Sequence, residues 1–320
     1  MSRFKYISVA MCTFNGAKHL TEQITSIINQ SRPPDEIIIV DDNSSDHTVE
    51  LIDNYLDTTR NLLRLYVNER QLGFVKNFEK AISLCKGDII FLADQDDIWE
   101  VDKINYMVSL LDCQSEFLGA THDGRLVNSN GHYQGVTKFT QIKRGYGSLA
   151  KTITGTLSCL TKDSLKYILP FPADIRSHDK WIDYIFTWFP SRWLFTDICL
   201  SDIRRHESNT SSWVVNSFKP ISKFDVFLEQ VKTNPSSSYI DRISMNKALF
   251  HRLIANKFDD QNVPIINKLI EERKYLVIRQ ALVNRKSFLS RLKTAIFLQI
   301  SGGYAYFNGW RSFLRDVIGR

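Results

Sequence analysis

Gly87-Asp88-Ile89-Ile90-Phe91-Leu92-Ala93-Asp94-Gln95-Asp96-Asp97-Ile98-Trp99 decides the reading of this chain. Asp88 to Ala93 is a short apolar run, which predicts a strand buried on both faces. Three carboxylates follow it directly. The residues upstream repeat the pattern. Tyr6 to Met11, Ile37 to Val40 and Leu63 to Val67 are further apolar runs, rich in β-branched residues. Between them lie helical spacings: Leu20, Ile24, Ile27 and Ile28; Val49, Ile52 and Leu56; Phe78, Ala81, Ile82 and Cys85. Pro33-Pro34 ends the first helix, and Ser45-Asp46 caps the second.

Strand and helix alternating through four strands predict an α/β fold with a mostly parallel sheet flanked by helices. In such sheets ligands bind beyond the carboxyl ends of the strands. That rule lines up Thr13-Phe14-Asn15, Asp41-Asp42 and Asp94 to Asp97 along one crevice. The stretch from Leu118 to His206 is less regular, and the pattern turns helical beyond Val215.

The bulk numbers bound the function. A chain of 320 residues with 43% hydrophobic and 24% charged residues fits a globular protein. The net charge of +6 is too mild to indicate nucleic-acid binding. Five widely spaced cysteines with no C-x-x-C pair indicate neither a zinc site nor a disulfide frame. No signal peptide and no spanning run of apolar residues is visible, and mean hydropathy is -0.22. A cytoplasmic protein is expected, with peripheral contact at the inner face of the cell membrane as an option.

Asp94 and Asp96, two residues apart after a buried strand, can face one hard cation. A nucleotide diphosphate is anionic, so a divalent ion between it and the carboxylates resolves the conflict and neutralises charge on the departing diphosphate. Mg and Mn both suit oxygen ligands. An isolated D-x-D is more often a turn; its place after the fourth strand favours the cation. Asp41, with Asp42, can accept from a ribose hydroxyl or a base N–H. Lys76, behind Asn68-x4-Gly73, can reach a phosphate, or the segment is a plain strand-to-helix turn. Asp179 in His178-Asp179-Lys180-Trp181 is either an N-cap or a base near an acceptor oxygen. Arg204 suits a phosphate and His206 a metal shell.

These residues resemble glycosyltransferase family 2. The resemblance rests on Val9 to Asn15, on Val40-Asp41-Asp42-Asn43-Ser44-Ser45-Asp46-x-Thr48, and on Gly87 to Trp99. The D-Q-D-D-I-W form, with His178-Asp179-x-Trp181 and Arg204-x-His206-x-x-Asn209, is most similar to the bacterial rhamnosyltransferase-like branch. The resemblance implies a GT-A fold and inverting transfer from a nucleotide-sugar donor, dTDP-rhamnose or a UDP-hexose. The acceptor implied is a glycan or polyprenyl-linked glycan hydroxyl in bacterial surface polysaccharide (O-antigen or capsule) synthesis. By similarity Thr13 and Phe14 border the pyrimidine, Asp41 holds its N–H, and Asp94 lies near the ribose or the metal. Asp96 is the principal metal ligand, His206 the second contact, and Asp179 the base. The site expected is therefore Asp179 as catalyst, Asp96 and His206 on the metal, and Thr13, Phe14, Asn15, Asp41, Asp42, Lys76, Asp94, Gln95 and Arg204 on the donor. Trp99, His178 and Trp181 are expected on the acceptor. Thr154-Gly155-Thr156-Leu157-Ser158 matches the family's acceptor loop only loosely.

The expected organisation is a catalytic domain over 1–214, with a nucleotide-sugar half to about 115, and a helical region over 215–320. From Arg285 to Arg320 seven basic residues stand against one acidic residue, Asp316. That aromatic, basic segment can lie on an anionic membrane, pack on the catalytic domain, or form a homodimer contact. Rival functions are a sugar nucleotidyltransferase, whose Gly-rich basic loop Thr13-Phe14-Asn15-Gly16 lacks, and a non-catalytic nucleotide-sugar-binding module.

Overall fold

The computed structural model describes residues 2–56, 59, 61–113, 115–146, 153–206, 235–255, 262–283, 285, 287–307 and 309–318. Asn209 and the expected boundary at 214/215 lie outside them. The chain divides into two compact units: residues 1–171 with 177–221, and residues 172–176 with 222–320.

The first unit is built on β1 (Ile7–Thr13), β2 (Glu36–Asp41), β3 (Leu63–Val67) and β4 (Ile89–Ala93), with α1 (Ala17–Ile28), α2 (Thr48–Leu56) and α3 (Phe74–Leu84) as crossovers. Every residue of β1, β2 and β4 is buried, as their continuous apolar runs require. β3-β2-β1-β4 pair in parallel in that order. Thr13 stands opposite Asp41, and Met11 opposite Ala93. The three polar clusters thus leave the sheet at one edge. Leu20, Ile24 and Ile27 of α1 pack under the sheet against Val9, Met11, Ile37, Ile39 and Phe91.

The sheet then changes character. After β5 (Ile98–Trp99) and α4 (Lys103–Asp112) come β6 (Gly119–Val127), β7 (Tyr133–Thr137), α5 (Lys138–Tyr146), β8 (Ser158–Thr161), α6 (Leu165–Ile168), α7 (His178–Trp188) and β9 (Trp193–Arg204). β8 joins β4 antiparallel, β6 joins β8 antiparallel, β9 joins β6 in parallel, and β5 and β7 add antiparallel edges. Among the described strands parallel and antiparallel pairings are therefore equal in number, which corrects the expectation of a mostly parallel sheet. The physical reason is that β8 inserts between β4 and β6 and runs opposite to both, so that in this half only β6 and β9, joined through a connection that contains helices, stay parallel. Ile98 pairs with Asp202 and Trp99 with Ser201, so the acidic run is strung between β4 and β5 and faces the end of β9.

The second unit holds α8 (Pro235–Ala255), α9 (Val263–Val283), α10 (Phe288–Ile300) and α11 (Trp310–Ile318). Asp316 of α11 is 5% exposed and accepts from Arg279 Nε at 2.7 Å and Nη2 at 2.9 Å, with Tyr304 Oη at 3.0 Å. Phe307 lies 4.3 Å from the guanidinium. The buried charge is thus paired and hydrogen-bonded, the condition under which an interior ion pair is tolerated. Among the described residues no helix is long and apolar enough to cross a membrane.

Candidate active site

A cavity of about 330 Å³ opens at the carboxyl edge of β1, β2 and β4 and is lined by Phe14, Gln71, Phe74, Asp94, Asp96 and Arg205. Its floor is the acidic run. Burial pushes the Asp94 carboxyl well above its ordinary value, and the like charges of Asp97, Asp96 and Asp179 push it further; Arg205 opposes them. Four carboxylates therefore converge closely enough to feel one another. Asp97 is buried, accepts Thr156 Oγ1 at 2.6 Å and the Arg204 N–H at 3.2 Å, and is raised to about 6 by burial and by Asp96. It braces the loop. Asp96 points to the cavity, and its Oδ2 lies 2.7 Å from His206 Nε2.

A divalent cation fits this donor set. Mutual repulsion among carboxylates is relieved by a cation, and an imidazole beside Asp96 can add one nitrogen. Among the described residues no three His, Cys, Asp or Glu side chains form a ready-made cage. One or two protein ligands completed by substrate phosphate oxygens is how Mg- and Mn-type sites are commonly built.

Asp179 sits at the second position of α7. The alternative that it is the helix cap is answered by Ser177, whose Oγ accepts the Lys180 N–H at 3.3 Å. Asp179 instead accepts the Gly155 N–H at 2.9 Å, and His178 Nε2 lies 2.9 Å from the same oxygen. Burial opposes its charge, but His178 and the Gly155 N–H outweigh burial and hold it below the usual carboxylate value. The His178 ring stacks on Phe78 at 4.1 Å, which fixes its plane. A side chain at Gly155 would collide with both residues.

The donor edge is stitched internally. Thr13 Oγ1 donates to Asp41 at 2.7 Å, and Asp41 also accepts the Ser44 N–H and hydroxyl at 2.8 and 2.6 Å. Asp41 is 0% exposed, so its carboxylate faces its own loop and not a nucleotide. Asp42 accepts the N–H groups of Leu72 and Gly73 at 2.7 and 2.8 Å and Asn68 Nδ2 at 2.9 Å, and so anchors the turn into α3. Asn15 adopts φ 47° and binds the Ser45 N–H at 2.8 Å. Asp46, not Ser45, takes the Thr48 N–H at 3.0 Å. Gln95 clamps the Phe14 backbone, accepting its N–H at 2.8 Å and donating to its carbonyl at 3.1 Å. The Phe14 ring is left 40% exposed on the rim, where a base can stack.

Four expectations need correction. Trp181 is fully buried and donates to the Ile168 carbonyl at 2.9 Å, so it offers no face to an acceptor. Trp99 is 4% exposed in the main core, with Lys103 Nζ 3.7 Å from its ring. Lys76 is paired with Glu79 at 2.6 Å on the outside of α3 and does not line the cavity. Arg204 borders the cavity but is 3% exposed, and its guanidinium straps the Asp96 carbonyl at 3.1 Å and the Ser129 carbonyl at 2.9 Å to Glu22. Asp41 is likewise structural. Arg205 is the arginine whose charge reaches Asp97, Asp96 and Asp94. Adjacent extended residues face opposite ways, so only one of the pair could do so, and nothing in the sequence says which. Lys138, at the start of α5, was also missed; burial and Arg205 lower it to about 8, while Asp179 and Asp97 oppose.

Comparison with known proteins agrees with this geometry. The model of the family described as glycosyl transferase family 2 matches residues 8–168. A dTDP-rhamnosyl transferase of Shigella flexneri, RfbG, is 34% identical over 105 residues, covering 32% of this chain and 36% of that protein. A Bacillus subtilis glycosyltransferase named for teichuronic acid biosynthesis, TuaG, is 28% identical over 116 residues, covering 35% of this chain and 46% of its own length. The matched stretch thus spans less than half of these curated relatives. Among solved structures, S. aureus TarS 1-349 with UDP superposes with a TM-score of 0.58 at 13% identity, covering 98% of this chain and 89% of that one. The Pyrobaculum calidifontis mannosyltransferase PcManGT, with GDP-Man and Mn2+, gives a TM-score of 0.52 at 16% identity, covering 98% and 84%. These likenesses establish a GT-A fold with helices appended at its carboxyl end. With a family match across half its length, placed on the strands and acidic loop that form the crevice, this chain belongs to glycosyltransferase family 2.

Proposed function

We propose that the chain is an inverting, metal-dependent glycosyltransferase that moves a sugar from a nucleotide diphosphate to a hydroxyl of a growing bacterial surface polysaccharide. The observation that carries this reading is the convergence of Asp94, Asp96 and Asp97 on one cavity beside an exposed aromatic rim, with the Asp179 charge near enough to act on Asp94. Asp96 and His206 would hold Mn or Mg, and a bound divalent ion would neutralise the diphosphate as it leaves. Arg205 and Lys138 supply further positive charge on the same side. Phe14 stacks on the base. Asp179, ionised at neutral pH, takes the proton of the acceptor hydroxyl as that oxygen bonds to the anomeric carbon and the bond to the diphosphate breaks. His178 and Gly155 position Asp179 for that transfer.

The relatives favour the finer points of substrate. The likeness to RfbG supports dTDP-rhamnose as donor, with a UDP-hexose as the second choice in view of the fold shared with TarS. The name of TuaG, a teichuronic acid biosynthesis glycosyltransferase, supports a surface-glycan acceptor. Two variants test the reading. Asp179→Asn is expected to lower transfer by about 10²- to 10⁴-fold while leaving donor-induced thermal stabilisation intact. His206→Ala is expected to abolish the Mn-dependent part of that stabilisation. Transfer by Asp179→Asn at the wild-type rate removes Asp179 from the base role.

A further inference from the structure

The second unit carries an apolar surface that the proposed chemistry does not use. α10 has two apolar sides. Ala295 and Leu298 are fully buried and pack with Leu282, Tyr304 and Val317 into the core of the unit. Leu289, Ile296, Phe297 and Ile300 lie on the other side and are 67%, 44%, 53% and 82% exposed. Their spacing, with Lys293 between them, follows one face of a helix, and the stripe is about 16 Å long at 1.5 Å per residue. Phe288 at the start of α10 and Trp310 and Ile318 at the ends of α11 are exposed as well, at 52%, 64% and 57%. A helix that had only to cover the core would need one apolar side.

Along the α10–α11 segment the surface charge has one sign. Arg285, Arg291, Lys293, Arg311 and Arg315 lie on or beside α10 and α11, and between residues 285 and 318 the only acidic residue is Asp316. Asp316 is buried against Arg279 and lends no negative charge to the surface. Arg291 joins the two helices by donating to the carbonyls of Val317 and Ile318 at 3.3 and 3.0 Å. The Arg311 guanidinium lies 5.8 Å from the Trp310 ring, so an aromatic and a cation are presented together. An apolar stripe flanked by arginine, lysine and an exposed tryptophan complements a surface that is negative outside and apolar beneath.

We propose that the α10–α11 face is a docking surface for an anionic lipid bilayer, with Leu289, Ile296, Phe297 and Ile300 entering the headgroup boundary and Lys293 and Arg311 meeting lipid phosphates. A protein partner with a neutral apolar groove would satisfy the stripe and leave the cations unmatched. The surface belongs entirely to the second unit, so the inference stands apart from the reading of the active site.

The test is flotation of the full chain with phosphatidylcholine vesicles prepared with and without phosphatidylglycerol. The wild-type chain is expected to float with the phosphatidylglycerol vesicles, and to float less at high salt. Ile296→Glu/Phe297→Glu/Ile300→Glu is expected to lower the bound fraction at least about tenfold, since three side chains lose their apolar transfer. Lys293→Glu/Arg311→Glu, which leaves the stripe intact, is expected to erase the preference for phosphatidylglycerol. Circular dichroism checks that both variants keep the wild-type fold, and all five changed positions lie at or near the surface. The proposal is overturned if the wild-type chain stays unbound, if the stripe variant floats as well as wild type, or if sedimentation shows a dimer that the stripe variant dissolves.

Discussion

Gly155→Ala isolates the positioning of the proposed base. Gly155 has an ordinary backbone φ, so alanine adds no torsional strain there. Its Cβ would lie 2.4 Å from Asp179 Oδ1 and 2.8 Å from His178 Nε2, where ordinary contact begins at 3.4 Å. The Asp179 carboxylate must therefore withdraw by about 1 Å, and the 2.9 Å bond from the Gly155 N–H is lost or stretched. A displacement of about 1 Å at a reacting group costs about 10²-fold in rate, or about 2.7 kcal/mol at 1.36 kcal/mol per decade. The cost to folding is smaller, about 1–2 kcal/mol, because Asp179 has a short side chain that is about one third exposed and can turn aside. The assay is the initial rate at saturating donor and acceptor, with thermal denaturation in the presence and absence of donor. The expected result is a fall in kcat of about two orders of magnitude with donor stabilisation preserved. If kcat stays within about threefold of wild type while the protein is folded, Asp179 is not the group whose position limits transfer.

Other perturbations read other parts of the site. His178→Gln removes the largest influence that lowers the Asp179 carboxyl, so the acidic limb of kcat, expected below pH 3.8 in the wild type, should move to higher pH; an unmoved limb means His178 does not tune the base. Gln95→Ala releases both backbone bonds to Phe14, each contributing about 1 kcal/mol, and should raise the donor KM by about 5- to 30-fold with little change in kcat. An unchanged KM would show that the clamp does not shape the base-stacking rim. Lys103 is fully buried and lowered to about 7 by burial, below its unfolded value of 10.5. The unfolded chain therefore binds its proton more tightly, and stability from this group falls as pH drops from 10.5 toward 7, levels off below 7, and is recovered as pH rises toward 10.5. The wild-type melting temperature should gain on that of Lys103→Met between pH 7 and 9, read by thermal denaturation; parallel curves would refute the assignment.

The donor half was legible because its strands are buried on both faces. Ile37-Ile38-Ile39-Val40 and Ile89-Ile90-Phe91-Leu92 cannot sit anywhere but in the middle of a covered sheet, and the loop after each was placed by that fact alone. β6 reads Gly-Ala-Thr-His-Asp-Gly-Arg-Leu-Val, and β9 reads Trp-Leu-Phe-Thr-Asp-Ile-Cys-Leu-Ser-Asp-Ile-Arg. Such polar strands hide their period, so the antiparallel half stayed unread. The tryptophans misled for a related reason. Trp181 stands two residues from Asp179 on a helix, which turns the two to nearly opposite sides, and Trp99 is buried together with Asp97, so both rings lie in the core. Gly155 stood out only as a loose motif match, because its importance lies in a contact with Asp179 across 24 positions of sequence.

The internal stitching of Asp41 and Asp42 bears on how donor preference could be altered. Both carboxylates stand at the end of a strand and invite a library directed at sugar or base selection. Their oxygens already hold the loops around Ser44 and Gly73, so most replacements there would yield unfolded or loosened protein with no new preference. The positions open to such a search are the side chains that border the cavity without bracing it: Phe14, Gln71 and Phe74. Diversity belongs on that rim, over an acidic frame left untouched.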